Sequence, residues 1–225
     1  MHDFHLDEIR SILCLGAHAD DLEIGCGGTL LEILARRQGI DVHWVVFSTS
    51  GCRAQEAAAS AERFLALASR QRVVLLDYRD TFFPAAYESI KEYFEQIKHD
   101  VAPDLVFTHR REDMHQDHRV IAELTWCAFR DHVILEYEIP KYEGDLGAPN
   151  IFVPIEEAAC RRKIETIVEC FSSQHSKQWF SADTYWALLR LRGVECNSPT
   201  RFAEAFHSRK LRVNWTSPNR RGASL

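Results

Sequence analysis

Two short clusters combine imidazole with carboxylate. The first is His18-Ala19-Asp20-Asp21 and the second is His115-Gln116-Asp117-His118. Imidazole and carboxylate suit zinc, and a catalytic zinc site takes three protein ligands and keeps one position open. His18 and Asp21 are three residues apart, so one helical turn or tight loop can aim both at a single ion. His118 can supply the third ligand. Asp20 then points elsewhere, towards water on the metal. Zinc lowers the pKa of such water to about 7. A carboxylate beside it can take the proton as water attacks a carbonyl, and can later pass that proton to a leaving nitrogen. His115 can stabilise the developing oxyanion, where one donor contributes about 10²–10³ in rate. Asp117 would orient His115 by accepting its ring N–H. A plainer reading stays open: Asp20, Asp21 and Asp117 are also residue types that cap helices.

Chemistry of this kind needs a scaffold that brings the two clusters together. Residues 11–17 read as a buried strand, and Thr29–Arg37 has helical spacing of apolar residues with Gly39 just beyond. The pattern continues with a strand at Asp41–Ser48, a helix at Arg53–Ser69 and a strand at Arg72–Leu76. A helix at Tyr87–His99, a strand at Leu105–Thr108 and a helix at His118–Phe129 follow. Strand and helix alternate, which predicts an α/β fold. It is a three-layer, Rossmann-like, mostly parallel sheet with helices on both faces. Both clusters then fall beyond the carboxyl ends of strands, where such sheets bind ligands. Past Val133 the pattern weakens to a strand at Val133–Glu136, a loop through Pro149 and a helix at Glu156–Phe171. The polar stretch from Asn214 to Leu225 reads as a mobile tail.

Bulk properties narrow the function. A chain of 225 residues with 46% hydrophobic content is expected to fold as a single domain over 1–225, with 131–225 as a substrate-recognition and C-terminal part. No apolar run approaches the ~18 residues of a membrane helix, and the first residues lack a secretory pattern. A formal charge of -6 argues against nucleic acid as a partner. Seven cysteines, an odd number without a C-x-x-C pair, argue against a disulfide framework and for a cytoplasmic protein.

The order of the motifs resembles the LmbE/PIG-L superfamily of zinc-dependent N-acetyl amino-sugar deacetylases. Ala17-His18-Ala19-Asp20-Asp21 is similar to its A-H-P-D-D motif, with alanine in place of proline, and His115-Gln116-Asp117-His118 to its H-x-D-H motif. Thr49-Ser50-Gly51 with Arg53, Pro103–His109 and Ala203–Phe206 also resemble family stretches. The likeness covers residues 11–130 well and the remainder loosely. It implies His18, Asp21 and His118 as metal ligands, Asp20 as general base and His115 as support for the transition state. Asp117 again orients His115. The implied cofactor is Zn2+, with other divalent metals compatible, and the implied partner is a small amino-sugar substrate. Homo-oligomer formation through the C-terminal part is compatible with the resemblance.

Other residues have two readings. Arg53 can contact a substrate hydroxyl or phosphate, or pair with Glu56 or another acid. Arg110, Arg111, Arg119 and Lys141 read as surface charges, or as phosphate contacts if they face the pocket. Trp44 and Trp126 read as core, while Trp179 and Trp186 could stack on a sugar. Tyr137 and Tyr142 flank a loop that could close over the site. His109 is either near the pocket or a buried, hydrogen-bonded histidine. Cys26 and Cys52 read as packing. The glycines at 25, 27 and 28 lack the lysine of a phosphate loop and the G-x-G-x-x-G spacing, so close approach to the sheet explains them better. No G-x-S-x-G elbow is present. A nucleotide-linked amino sugar is an alternative substrate, and a non-catalytic metal-binding protein is an alternative role.

Overall fold

Alternate residues of the first strand enter opposite cores. In the computed structural model, which describes residues 8–212, β1 spans Ser11–His18. Its Ile12 and Cys14 pack into one hydrophobic cluster, and its Leu13 and Leu15 into another. A strand covered on both faces must read as a continuous apolar run. β2 (Asp41–Ser48), β3 (Arg70–Leu75), β4 (Leu105–His109) and β5 (Val133–Tyr137) join it in parallel. β6 (Ile151–Ile155) and β7 (Phe202–His207) extend the same sheet in antiparallel pairing. The seven-strand order is β3-β2-β1-β4-β5-β7-β6.

Helices cover both faces. α1 (Asp21–Arg36), α2 (Cys52–Phe64), α5 (Glu157–Cys170) and α6 (Ala182–Glu195) share one core. α3 (Tyr87–Asp100) and α4 (Gln116–Ala128) share the other. The expected α/β architecture is the one formed. From β1 the chain builds β2 and β3 to one side, then crosses to β4 and β5 on the other. That reversal makes the crevice between the ends of β1 and β4 a topological switch point, the usual ligand site of such sheets. His18 ends one of these strands and His109 the other.

The structure departs from the sequence expectation at three places. α1 begins at Asp21, eight residues before Thr29, so the glycine cluster lies inside the helix. Glycine in a helix costs about 1 kcal/mol against alanine, but a Cβ on Gly25 would collide with the Tyr137 ring. The backbone N–H groups of Gly28 and Thr29 donate to Glu204 at 2.7 Å each. The glycines therefore serve close packing, as expected, but of a helix. α2 ends at Phe64 rather than Ser69. α6, β6 and β7 were not legible. α6 is apolar on more than one side, with Tyr185 and Leu189 buried and Leu191 and Val194 exposed, so no single stripe marks it. β7 interrupts its apolar run with Glu204, which is buried and paired to Lys163 Nζ at 2.6 Å. The tail from Asn214 lies outside the described residues. Among the described residues, no helix is long and apolar enough to cross a membrane.

Candidate metal centre

β1 ends at His18, and the chain turns into α1 within two residues. The turn is made by Asp20, which adopts a left-handed conformation at φ 105°. A non-glycine residue in that region is strained, and such strain gathers at functional sites. Asp20 occupies the position before α1, yet its side chain makes no cap. Its Oδ1 accepts from Arg53 Nη2 at 3.0 Å, while Oδ2 is buried without a hydrogen-bond partner among the described residues. Burial raises the Asp20 carboxyl to about 7; Arg53 opposes the rise and the Asp21 charge adds to it.

Asp21 points the other way. Its Oδ2 accepts the His18 backbone N–H at 2.7 Å, which holds the carboxylate beneath the end of the strand. Burial works to raise its pKa, but the interactions with His118, His109 and His18 outweigh this and hold it well below the usual range. His18 Nδ1 faces His118 Nε2 at 3.2 Å and Asp21 Oδ2 at 3.5 Å. His118 Nε2 lies 3.5 Å from Asp21 Oδ1. Metal–ligand bonds of about 2.0–2.2 Å place the corners of a tetrahedron about 3.3–3.6 Å apart. The two separations from His118 Nε2, to His18 Nδ1 and to Asp21 Oδ1, are close to that edge length, while His18 Nδ1 is measured to the other Asp21 oxygen. His118 is held neutral, at about 3, by burial and the neighbouring His109, so its lone pair is available.

The far sides of both rings are also held. His118 Nδ1 pairs with Asp113 Oδ2 at 3.0 Å. His18 Nε2 lies 3.2 Å from Asp117 Oδ2 and 3.0 Å from Asp80 Oδ1. For both rings, this directs the proton to the nitrogen that faces the carboxylate and leaves the other free for a metal. Burial works to lower the His18 pKa, but these carboxylate bonds outweigh it and raise it.

Three overlapping groups bring ligand atoms within 4.8 Å: His18–His115–His118, Asp21–His109–His118 and His18–Asp80–Asp117. The second would use His109 Nε2, which already accepts the Ala17 N–H at 2.9 Å. The third would use Asp117, whose oxygens accept Thr81 N–H at 2.7 Å and Phe83 N–H at 3.1 Å. His18 and His118 belong to the first group and His118 also to the second. Asp21 Oδ2 is taken by the His18 N–H, so Asp21 Oδ1 is the oxygen left facing the two rings, with His115 beside them. The site's chemistry, two imidazole rings and a carboxylate, fits a zinc-class divalent ion.

One expected contact is replaced by another. Asp117 does not orient the His115 ring; its carboxylate turns to His18 and to the loop at Thr81–Phe83. α4 begins at Gln116, so Asp117 lies in its first turn facing that loop. The contact with His115 is made instead by the Asp117 backbone N–H, which donates to His115 Nδ1 at 3.3 Å. This bond puts the His115 proton on Nε2. Burial and the charge of His18 lower its pKa, so the ring is a neutral donor.

These residues line a cavity of about 280 Å³. Its floor is His18, Asp20, Asp21, His115 and His118, with Arg53 and Asp80 at the side. Its mouth is formed by Lys141, Tyr142 and Glu143 from the loop after β5, and by Gln174, Lys177 and Trp179 from the segment before α6. Arg53 lines the cavity but spends its guanidinium on Asp20 and the Ala19 carbonyl. Glu56 pairs instead with Ser172 and Ser173. Among the described tryptophans, only Trp179 lines the cavity; Trp186 packs against Phe202. Tyr137 ends β5 directly before that loop, but it is buried and its hydroxyl donates to Leu15 O at 2.7 Å. His109 is buried beside Asp21 at 3.2 Å. Cys26 is buried and Cys52 exposed, and neither joins the ligand groups.

Sequence reasoning missed Asp113, Asp80 and the buried setting of Lys141. The signal for Asp113 was present: a ligand histidine needs a carboxylate or carbonyl behind it, and Asp113 lies five residues before His118.

The GlcNAc-PI de-N-acetylase model, PIG-L, matches residues 13–129. This is just over half of the chain, and it contains every floor residue of the cavity. The chain belongs to the PIG-L family. Within reach of this PIG-L member is the uncharacterized deacetylase YaiS of Escherichia coli K12, 29% identical over 160 residues, or 66% of this chain and 83% of YaiS. Among solved structures, the N,N'-diacetylchitobiose deacetylase of Pyrococcus horikoshii superposes with a TM-score of 0.66 at 20% identity, over 90% of this chain and 84% of that one. GalB of Pseudomonas putida KT2440, a 4-carboxy-2-hydroxymuconate hydratase, superposes at 0.69 and 19% identity, over 93% and 100%. The PIG-L fold is thus shared by a deacetylase and a hydratase, so fold alone does not choose the reaction.

Proposed function

We propose that this chain is a metal-dependent hydrolase that removes the acetyl group from an N-acetylated amino sugar or its conjugate. The observation that carries the reading is the pairing of two environments one residue apart. Asp21 is held ionised with its oxygens on the ligand set, while Asp20, beside it, is raised to about 7 and opens on the cavity. Two carboxylates pushed apart in this way suit one ligand and one proton carrier. Family membership and the deacetylase names of the relatives support the same choice over a hydratase.

His18, Asp21 and His118 would hold the metal, which supplies Lewis-acid polarisation of a carbonyl and of water when bound. Asp20 takes a proton from water as the water oxygen adds to the acetyl carbon. It returns the proton to nitrogen as the C–N bond breaks, giving acetate and the free amine. His115, with its proton on Nε2, donates to the oxygen that gains charge. Asp117 and Asp113 hold the ligand rings. We assign the metal as zinc from the donor set and the location as cytoplasmic from seven unpaired cysteines.

The test is acetate release by zinc-reconstituted protein across free N-acetyl hexosamines, simple glycosides and nucleotide-linked N-acetyl sugars. Release from one class identifies the reach of the mouth. Silence across the panel by protein shown to contain zinc would refute the proposal.

A further inference from the structure

We propose that Lys141 is a positioning residue that couples the metal site to the loop at the cavity mouth. The proposal rests on the reading of His18, Asp21 and His118 as metal ligands. Lys141 lies on the loop at 138–150, between β5 and β6, where a lysine would ordinarily stay in water. Here its side chain is 8% exposed. Burying an ammonium is costly unless it is paired and hydrogen-bonded. Its Nζ donates to Asp113 Oδ2 at 2.9 Å and to both Asp145 oxygens at 2.8 Å. A longer bond of 3.4 Å reaches Ile139 O.

Asp113 is the joint. The same Oδ2 that accepts from Lys141 pairs with His118 Nδ1 at 3.0 Å, and Oδ1 accepts the His115 N–H at 2.8 Å. When His118 Nε2 gives its lone pair to a metal, the ring proton must be on Nδ1 and must donate to Asp113. Without a metal, the bond to Asp113 alone holds that edge of the ring, and no ligand bond at Nε2 reinforces it. Fixing His118 therefore fixes Asp113, and Asp113 fixes Lys141 with its loop. By reciprocity, an ordered loop supports the metal. The loop brings Tyr142 and Glu143 to the cavity. Tyr142 Oη accepts the Gln178 N–H at 3.3 Å, which carries the tie across the mouth to the segment holding Trp179.

Two further anchors hold the loop without touching a ligand. Asp145 Oδ2 accepts the Met114 N–H at 2.7 Å, and Asp145 O accepts from Arg110 Nη1 at 2.7 Å. Lys141→Met should thus cut the coupling without releasing the loop.

The experiment is amide hydrogen exchange over residues 139–147 in the full chain, with and without zinc, in wild type and Lys141→Met. Zinc binding is followed in the same samples by competition with a chromophoric chelator. In wild type, zinc should slow exchange of this segment by about tenfold, within the usual range for coupled sites. In Lys141→Met, zinc should still bind but leave the exchange of this segment unchanged. A lysine with a merely structural role would instead speed exchange equally with and without zinc. If Lys141→Met does not fold, Lys141→Gln is read in the same way. Equal zinc protection in variant and wild type, or no protection in wild type that binds zinc, would overturn the proposal alone. Wild type that binds no zinc would overturn the metal reading and this proposal with it.

Discussion

At the floor of the cavity, His18, Asp21 and His118 are nearly withdrawn from water, and each is held by a second group of the chain. At its mouth, Tyr142 is 69% exposed and Lys177 also stands in solvent. The floor comes from residues within 13–129, the part matched by the PIG-L model, and the mouth from residues 139–179, outside it. Burial explains the contrast. A metal site needs ligand atoms fixed to a fraction of an ångström, which demands rings locked by neighbours. A surface that recognises the rest of a substrate can be built on loops and varied without disturbing the chemistry.

The comparison can be broken at the floor first. His118→Ala removes a ligand and should abolish metal retention, read as metal content after dialysis. Asp113→Asn leaves all three ligands but weakens the hold on His118. Metal affinity should fall by about 10–100-fold, measured by chelator competition. A smaller effect is expected from pH. Asp20 acts as a base only when ionised, so kcat/KM should rise with pH and level off once its carboxyl has lost its proton. Burial raises that group to about 7, and a cation on the neighbouring ligands draws it lower. The acid limb should therefore level off at or below about pH 7, at constant metal content. At the mouth, Trp179→Ala should raise KM by about tenfold with kcat little changed, since it removes contact area that does not change during reaction. Equal losses in kcat and kcat/KM would place Trp179 with the floor. Beneath the floor, Gly25→Ala should cost about 1–3 kcal/mol of stability through overpacking against Tyr137.

Much of the floor was legible in the sequence. His18 ends β1, whose continuous apolar run is plain, and Asp21 and His118 fall in the first turns of the helices that follow β1 and β4, which the switch point brings together. The direction of the Asp117 carboxylate was not legible, because it depends on the backbone of Thr81 and Phe83, 36 and 34 residues away. Asp113 lies in the run Arg110-Arg111-Glu112-Asp113, which reads as a solvated surface. Lys141 was hidden for the same reason: only the fold shows that two carboxylates bury it. The start of α1 was obscured by Gly25, Gly27 and Gly28, whose poor helix propensity is overridden by packing against Tyr137, Phe64 and Glu204.

The most direct test of the account compares zinc-loaded wild type with Asp20→Asn for acetate release, with zinc content determined on the same samples. The account predicts equal zinc and a fall in rate of about 10²–10⁴ in the variant. An undiminished rate, or loss of zinc equal to that of His118→Ala, would contradict the division of labour between Asp20 and Asp21.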